Sequence, residues 1–270
     1  ETEPTPETEV PEETEPTPEP TGTSVLGTSA GGNDIIAHHF GTGDTEILLI
    51  GGIHGGYSWN TGLLGYELVD YFDADVTRVP ENLRVTVIPV LNPDGIETTL
   101  GTTERYTAAA AQAVTQAERV AGRFNANDVD LNRNFDCKWE PKSTWRGQTV
   151  SAGTAPFSEP EARALRDWVL ANNPDVAVFW HSQANNVYAS ECEEGVLPET
   201  ITVMRTYAEA ADYGEVPVFD AYPITGDAEG WLASLGIPAV TVELETFNSI
   251  EWERNLAGTE ALLEQYTLAR

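Results

Sequence analysis

The chemistry of this chain centres on six residues, Asp130-Leu131-Asn132-Arg133-Asn134-Phe135, which are too polar for a strand that only builds core. An arginine flanked by two asparagines can grip a carboxylate, because guanidinium binds it bidentately and the amides add N–H donors. A further arginine, Arg123, lies seven residues before Asp130. The pattern predicts an anion-binding site. The alternative is a surface loop in which Asn and Asp side chains cap turns.

Four further motifs carry polar side chains at the predicted ends of strands: Gly51-Gly52-Ile53-His54-Gly55-Gly56, Asn92-Pro93-Asp94-Gly95, Phe179-Trp180-His181-Ser182 and Thr241-Val242-Glu243-Leu244. Ligand sites of open α/β sheets lie beyond the carboxyl ends of strands, so His54, His181 and Glu243 are expected to meet. Two imidazoles and a carboxylate in such a place predict a metal site. The alternatives are a loop histidine at residue 54 and a salt-bridged glutamate at residue 243.

In their order and separations these five motifs resemble the zinc carboxypeptidases of the funnelin family, from about Leu48 to Leu244. The resemblance implies one α/β domain with a mostly parallel mixed sheet flanked by helices. It also implies Zn²⁺ as cofactor, peptide C-termini as partners, and removal of C-terminal residues by metal-activated water.

The same resemblance gives each motif residue a role. The implied roles are metal binding by His54 and His181, general base and acid catalysis by Glu243, stabilisation of the oxyanion by Arg123, binding of the substrate carboxylate by Asn132 and Arg133, and capping of the substrate by a mobile Tyr222. Asp227 and Glu229 lie in the stretch that lines the side-chain pocket of relatives, where a carboxylate would favour C-terminal Lys or Arg. Solvent-facing acids in a very acidic chain are the alternative for these two residues.

One position departs from the family pattern. The family supplies its metal ligands as His-x-x-Glu with a second His downstream, but Tyr57 stands where that Glu is expected and Ser58 follows it. Neutral Tyr and Ser are poor zinc ligands. Three interpretations follow: zinc held weakly through two histidines and water, a remote carboxylate that completes the site, or a retained fold without catalysis.

Two functions are therefore compatible with the sequence. The first is an exported metallocarboxypeptidase, of which a related version would trim cell-wall peptides. The second is a non-catalytic relative that binds peptide C-termini or self-assembles as an extracellular subunit, with its N-terminal tail docked on a neighbour. A third class, an acidic adhesin without a site, leaves Arg123 and the 130–135 motif unexplained.

Composition narrows the class of partner. The chain has 270 residues, with 44 acidic and 14 basic ones and a formal charge of −30. Such a charge disfavours nucleic acid and anionic membranes. No apolar run approaches the roughly 18 residues of a membrane span. The cysteine pair and the N-terminal tail, described next, predict a secreted or surface-tethered protein.

The Glu-, Thr- and Pro-rich residues 1–24 are predicted to be a disordered spacer, because they cannot bury enough apolar surface to fold. Residues 25–270 form the predicted domain. Cys137 and Cys192 are expected to form one disulfide, as suits an exported protein, with two buried thiols as the alternative.

Strands and helices are predicted to alternate along the domain. The predicted strands are 34–40, 46–51, 83–91, 175–181 and 239–244, and the predicted helices are 60–72, 103–121, one capped by Ser158, 198–213 and 250–268. His38 and His39 are adjacent on the first strand and face opposite ways, so they cannot chelate one metal and are assigned structural roles.

Overall fold

The computed structural model describes residues 21–268. The predicted acidic tail, with its proposed docking on a neighbouring subunit, falls almost wholly outside these residues. Residues 21–24, which composition assigns to the tail, belong to the first strand.

The domain alternates strands and helices. The strands are β1 (Thr21–Thr28), β2 (Asp34–Phe40), β3 (Thr45–Ile50), β4 (Leu83–Ile88), β5 (Lys142–Trp145), β6 (Gln148–Ser151), β7 (Val176–Ser182), β8 (Asn186–Ala189), β9 (Glu191–Cys192), β10 (Gly195–Val196), β11 (Gly214–Val216) and β12 (Ala239–Leu244). The helices are α1 (Trp59–Ala74), α2 (Pro93–Leu100), α3 (Ala108–Gln112), α4 (Gln116–Ala121), α5 (Pro160–Asn172), α6 (Pro198–Ala211), α7 (Ala228–Ser234) and α8 (Trp252–Leu268).

Eight of these strands form one sheet in the order β1-β2-β4-β3-β7-β12-β8-β11. The central strands β4, β3, β7 and β12 are mutually parallel. Antiparallel pairing flanks them, since β2 runs against β4 and β8 runs against β12. The predicted α/β class with a mixed, centrally parallel sheet is confirmed.

Both faces of the central strands are buried, which explains their continuous apolar sequences. Alternate side chains point to opposite faces, so Ile47 and Leu49 of β3 join one core with α1, α6 and α8. Leu48 and Ile50 join a second core with α5 and α7. Full burial of each such side chain contributes about 1.5–3 kcal/mol. The two cores hold the sheet in place, and the sheet in turn positions the residues that follow the ends of its strands.

The single helix predicted for 103–121 is two short helices, α3 and α4. Thr115 starts the second one with a capping box: its side chain accepts from the Glu118 N–H, and Glu118 accepts from the Thr115 N–H. A Thr followed three residues later by Glu is the usual signature of such a start. The Ala-rich composition concealed this signal.

Ser158 does not cap α5, contrary to the prediction. The helix begins at Pro160 after an extended Glu159. The Ser158 hydroxyl instead accepts from the Thr154 N–H and donates to Glu159. The hydroxyl also accepts a tertiary hydrogen bond from the Asn134 amide at 3.0 Å, so Ser158 stays outside the helix, which starts one residue later than predicted.

Two other predictions agree with the structure. Cys137 and Cys192 form a disulfide, with Cα atoms 5.8 Å apart. His39 is hydrogen-bonded to Ser24 and Thr86, at 2.8 and 3.0 Å, which fits a structural role. Between residues 21 and 268 no helix combines the length and apolar character needed to cross a membrane.

Candidate functional site

A cavity of about 390 Å³ opens beyond the carboxyl ends of the central strands. Ten residues singled out from the sequence line it, together with seven others. The lining residues are His54, Tyr57, Arg123, Asn132, Arg133, Trp145, Arg146, His181, Ser182, Gln183, Tyr222, Ile224, Asp227, Glu229, Thr241, Glu243 and Phe247. The structure therefore brings the separate motifs to one place.

His54 enters the cavity from a tight turn after β3. Gly55 has a φ of +44°, in the region that favours glycine, and a Cβ at Gly56 would collide with Thr99 of α2. The ring of His54 meets that of His181 edge to face, with centroids 4.9 Å apart. Burial, followed by the charges of Arg123, His181 and Arg133, lowers the pKa of His54 well below its usual value. The ring is therefore neutral, the state in which imidazole binds metals.

His181 ends β7 and is paired with a carboxylate. Its Nε2 lies 2.9 Å from Oε1 of Glu229, which also accepts from the Thr241 hydroxyl at 2.9 Å. Burial alone would lower the pKa of His181, but the hydrogen bond and charge of Glu229, with the charge of Glu243, raise it. Bonding to His181 correspondingly keeps the pKa of Glu229 low despite its burial. Nε2 of His181 is thus the donor to an ionised Glu229.

Glu243 lies on β12 directly beside His181, since the two residues are partners in the parallel β12–β7 register. Its Oε2 is buried and has no hydrogen-bond partner among the described residues. Burial raises the pKa of Glu243, against the opposing charges of His181 and Arg123.

Arg123 is held by two different contacts. Its Nε and Nη2 donate to Oδ2 of Asp130, at 2.9 and 2.8 Å. Its guanidinium also lies over the Trp145 ring, 4.4 Å from the centroid, a favourable cation–π distance. Asp130 has a further contact, with Oδ1 3.5 Å from Nδ1 of His54. Asp130 therefore connects Arg123 to His54.

Asn132 and Arg133 belong to one short 3-10 turn, Leu131–Arg133. Oδ1 of Asn132 accepts from the Ala228 N–H at 2.8 Å, which leaves its amide nitrogen to serve as a donor. Nε of Arg133 donates to Ser143 Oγ at 3.1 Å. The two side chains thus present N–H groups to the cavity, as binding of a carboxylate requires.

Asn134 does not share this role. Its amide nitrogen donates to the carbonyls of Ala152 and Ala155, at 2.7 and 3.0 Å, and its Oδ1 accepts from the Glu159 N–H. Only one of the two asparagines beside Arg133 therefore lines the cavity. Asn92 is structural too, because it caps α2 and its amide lies 3.3 Å from the Arg123 carbonyl.

Tyr222 lies at the mouth of the cavity with 55% of its surface exposed. Its ring packs edge to face against Phe219, 4.8 Å away. Asp227 and Glu229 lie deeper, at the start of α7, where Asp227 accepts from the Gly230 N–H. Burial and the charge of Glu229 raise the pKa of Asp227.

Tyr57 occupies the position where the family pattern expects a third metal ligand. Its ring packs against Trp145 and Phe247, with centroids 4.9 and 5.1 Å apart. Within residues 21–268 no group of three or more His, Cys, Asp or Glu side chains is placed to hold a metal ion. As placed, these side chains offer two imidazoles, so they do not fit a catalytic zinc with three protein ligands.

The sequence did not point to Trp145 or Phe247 as cavity residues, nor to Ser143, which accepts from Arg133 beside the cavity. Trp145 and Ser143 lie on the β5–β6 hairpin, which is a separate two-stranded sheet. Neither hairpin strand has the apolar alternation that marks a strand of the main sheet. Phe247 follows β12 by three residues, and its closeness to the Glu243 motif was the only available signal.

The comparisons with known proteins agree with this architecture. The zinc carboxypeptidase family model matches residues 13–252, so the chain belongs to the zinc carboxypeptidase family, whose members are metallocarboxypeptidases. It is 26% identical over 168 residues to gamma-D-glutamyl-L-diamino acid endopeptidase 1 of Lysinibacillus sphaericus, which covers 59% of this chain and 42% of the relative. It is also 26% identical over 164 residues to the carboxypeptidase N catalytic chain of Rattus norvegicus, which covers 52% and 32%. The matched parts span about half or less of these relatives.

Solved structures show the same fold. Murein-tripeptide amidase MpaA from Escherichia coli O157 superposes with a TM-score of 0.63 and 21% identity, covering 90% of this chain and 92% of that one. Carboxypeptidase A from Helicoverpa armigera superposes with a TM-score of 0.70 and 21% identity, covering 91% and 67%.

Proposed function

We propose that this chain binds the C-terminal carboxylate of peptides in the cavity, and that efficient zinc-dependent hydrolysis is not its main activity. The observation that carries the proposal is the combination of carboxylate-binding donors with an aromatic residue, Tyr57, at the third-ligand position. Family membership supplies the class of ligand.

The donors support the first half of the proposal. Arg133 and Asn132 each use part of their hydrogen-bonding capacity within the fold and retain N–H groups that face the cavity. Arg123 lies beside them, where it would bind the last peptide carbonyl. Charge-assisted hydrogen bonds of this kind contribute about 1.5–3 kcal/mol each.

The acidic side of the cavity supports a preference for a terminal residue that carries an ammonium or guanidinium group. Glu229 is 1% exposed, and its Oε2 has no hydrogen-bond partner within the described part of the chain. Buried unpaired carboxylate oxygens are costly unless a ligand satisfies them. Lysine, arginine and diamino acids are the matching side chains, and one relative is named for a diamino-acid peptide.

The second candidate function is a working metallocarboxypeptidase. One observation favours it: Glu243 is placed beside His181 with a free buried oxygen, where a general base would stand. Zinc bound there would polarise the carbonyl and acidify a water. This version needs a third ligand that Tyr57 does not supply.

An exported location is part of the proposal. The disulfide supports it, because such bonds persist in oxidising compartments. Tethering to a surface and assembly through the N-terminal tail are expectations from the composition of residues 1–24 alone.

The test is calorimetric titration of the full chain with one peptide ending in lysine, as the free acid and as the C-terminal amide. We expect the free acid to bind about 10- to 100-fold more tightly, with or without a chelator. Arg133→Ala should lose most of this difference, whereas Arg205→Ala, at an exposed arginine, should keep it.

Mass spectrometry of the same mixtures reports turnover. Binding of the free acid without release of lysine supports the proposal. Equal affinity for acid and amide would overturn it. Chelator-sensitive release of lysine would establish the metallocarboxypeptidase instead.

A further inference from the structure

Three aromatic rings form one wall of the cavity, here called the aromatic wall: Tyr57, Trp145 and Phe247. Tyr57 is central, with edge-to-face contacts to Trp145 at 4.9 Å and to Phe247 at 5.1 Å. The rings come from three separate segments, namely the turn after β3, the β5–β6 hairpin and the loop after β12. Their convergence is therefore a product of the tertiary fold.

The aromatic wall is not part of the hydrophobic cores. None of its three rings belongs to the apolar clusters that the described residues form around the sheet. Tyr57 is 7% exposed, and Trp145 and Phe247 are half-buried. Apolar surface thus faces the cavity, where a ligand could cover it.

Two arginines lie over the rings of the aromatic wall. Arg123 lies 4.4 Å from the Trp145 centroid and 5.5 Å from that of Tyr57, and Arg119 lies 4.6 Å from that of Phe247. These cations would repel a positively charged ligand group at the wall. The acidic side chains of the cavity belong to other elements: Asp227 and Glu229 lie at the start of α7, and Glu243 lies on β12.

The hairpin fixes the wall relative to the carboxylate donors. Ser143 accepts from Nε of Arg133 at 3.1 Å and is hydrogen-bonded to Thr225 at 3.0 Å. Trp145 lies two residues further along the same strand and covers Arg123. A peptide whose carboxylate binds Arg133 and whose last carbonyl faces Arg123 would place its penultimate residue near Trp145.

We propose, resting on the proposed function, that the aromatic wall binds the side chain of the penultimate peptide residue and selects an aromatic one. A phenyl or indole ring there adds an edge-to-face contact and covers exposed apolar surface. Tyr57 thus helps to select the ligand, at the position where the family pattern has a metal-binding carboxylate.

The test compares four peptides that end in free lysine and differ only at the penultimate residue, which is Phe, Ala, Glu or Lys. Calorimetry on the full chain should give about tenfold tighter binding for Phe than for Ala, and the weakest binding for Lys. Phe247→Ala should reduce the Phe-to-Ala ratio to about twofold, and Phe247→Tyr should restore it.

Phe247 is the residue of choice because it does not contact Arg123. Trp145→Ala gives a second measurement, and Trp168→Ala, a partly buried tryptophan outside the cavity, is its matched control. The control should keep the tenfold ratio. Circular dichroism and thermal unfolding verify that each variant is folded.

The outcomes separate this inference from the function on which it rests. Preference for free acid over amide with equal affinity for Phe and Ala would overturn the aromatic selection and leave carboxylate binding intact. Tighter binding of penultimate Glu than of Phe would show that the arginines, not the rings, select the ligand. Failure of every free acid to bind would overturn both proposals.

Discussion

Nε2 of His181 lies 2.9 Å from Oε1 of Glu229, inside the cavity and shielded from solvent by the start of α7. A carboxylate in this position fixes the orientation of the imidazole ring. Thr241 shares the same oxygen, so only Oε2 of Glu229 is left to meet a ligand. Glu229 can therefore orient His181 and receive a cationic side chain at once.

Glu229→Gln should separate these two roles. The amide can still accept a hydrogen bond from His181, but it carries no charge for a ligand. We expect the affinity for a peptide ending in lysine to fall about tenfold, and that for one ending in leucine to change by less than about threefold. Titration of both peptides checks this, with Thr241→Val as a control that removes only the shared hydroxyl. An equal loss for both would mean that Glu229 acts only on His181.

Tyr57→Glu should create a zinc site. A carboxylate three residues after His54 would give the ion three protein ligands. We expect zinc content to rise to about one per chain, with release of C-terminal residues that both a chelator and Glu243→Gln abolish. Metal analysis and mass spectrometry measure the two effects, and Tyr57→Phe is the matched control. One tightly bound zinc in the unaltered chain would contradict the inference that Tyr57 leaves the site without a third ligand.

Asp130→Asn should destabilise the fold. Asp130 is fully buried and compensates Arg123, which is 4% exposed. Loss of the carboxylate charge leaves a buried cation, so the free energy of unfolding should fall by about 3 kcal/mol. Urea unfolding measures it. Asp167→Asn, in a surface pair with Arg166, should cost less than about 1 kcal/mol. Similar small costs at both positions would refute the prediction.

Glu161 should make stability fall as pH rises. It is fully buried at the start of α5 and accepts from the Ala30 N–H and the Asn125 amide, near Asp94. Burial raises its pKa from 4.5 to about 7. The folded state therefore binds the proton more tightly than the unfolded state. The contribution of Glu161 to the free energy of unfolding is fully present below pH 4.5 and decreases as the pH rises to about 7.

The expected fall is about 3 kcal/mol, since each pKa unit corresponds to about 1.36 kcal/mol. Urea unfolding of the unaltered chain and of Glu161→Gln across this pH range measures the difference. The variant should lack this component of the pH dependence, whereas Glu264→Gln, at an exposed glutamate, should retain it. Parallel curves for Glu161→Gln and the unaltered chain would contradict the assignment.

The disulfide should contribute about 4 kcal/mol, because it closes a loop across a separation of 55 residues. It also joins the segment after Arg133 to the β9–β10 hairpin beside α7. Replacing both cysteines with serine should lower the urea midpoint accordingly. A shift worth less than about 1 kcal/mol would show that the loop is already constrained in the unfolded chain.

Sequence patterns predicted the parts of the site that backbone geometry alone determines. His54, His181 and Glu243 follow apolar runs, and parallel strands bring such positions to one edge of the sheet. The contact between His181 and Glu229 could not be predicted, because it depends on how α7 packs against β7. Trp145 also escaped prediction, since its short hairpin lies outside the main sheet and has no periodic pattern. Ser158 and Asn134 were misassigned for a related reason: each polar side chain serves a tertiary contact that local sequence rules do not include.

The cavity forms only when β12 pairs with β7 in the native register, so binding in the cavity would report correct folding. A slip of one residue would turn Glu243 to the opposite face of the sheet and separate it from His181. A molecule with such a slip would have no binding site, although its compactness could be unchanged. A ligand that binds only the native register would draw the population toward it by mass action. A peptide C-terminus would then favour the native pairing of β12 with β7 during refolding.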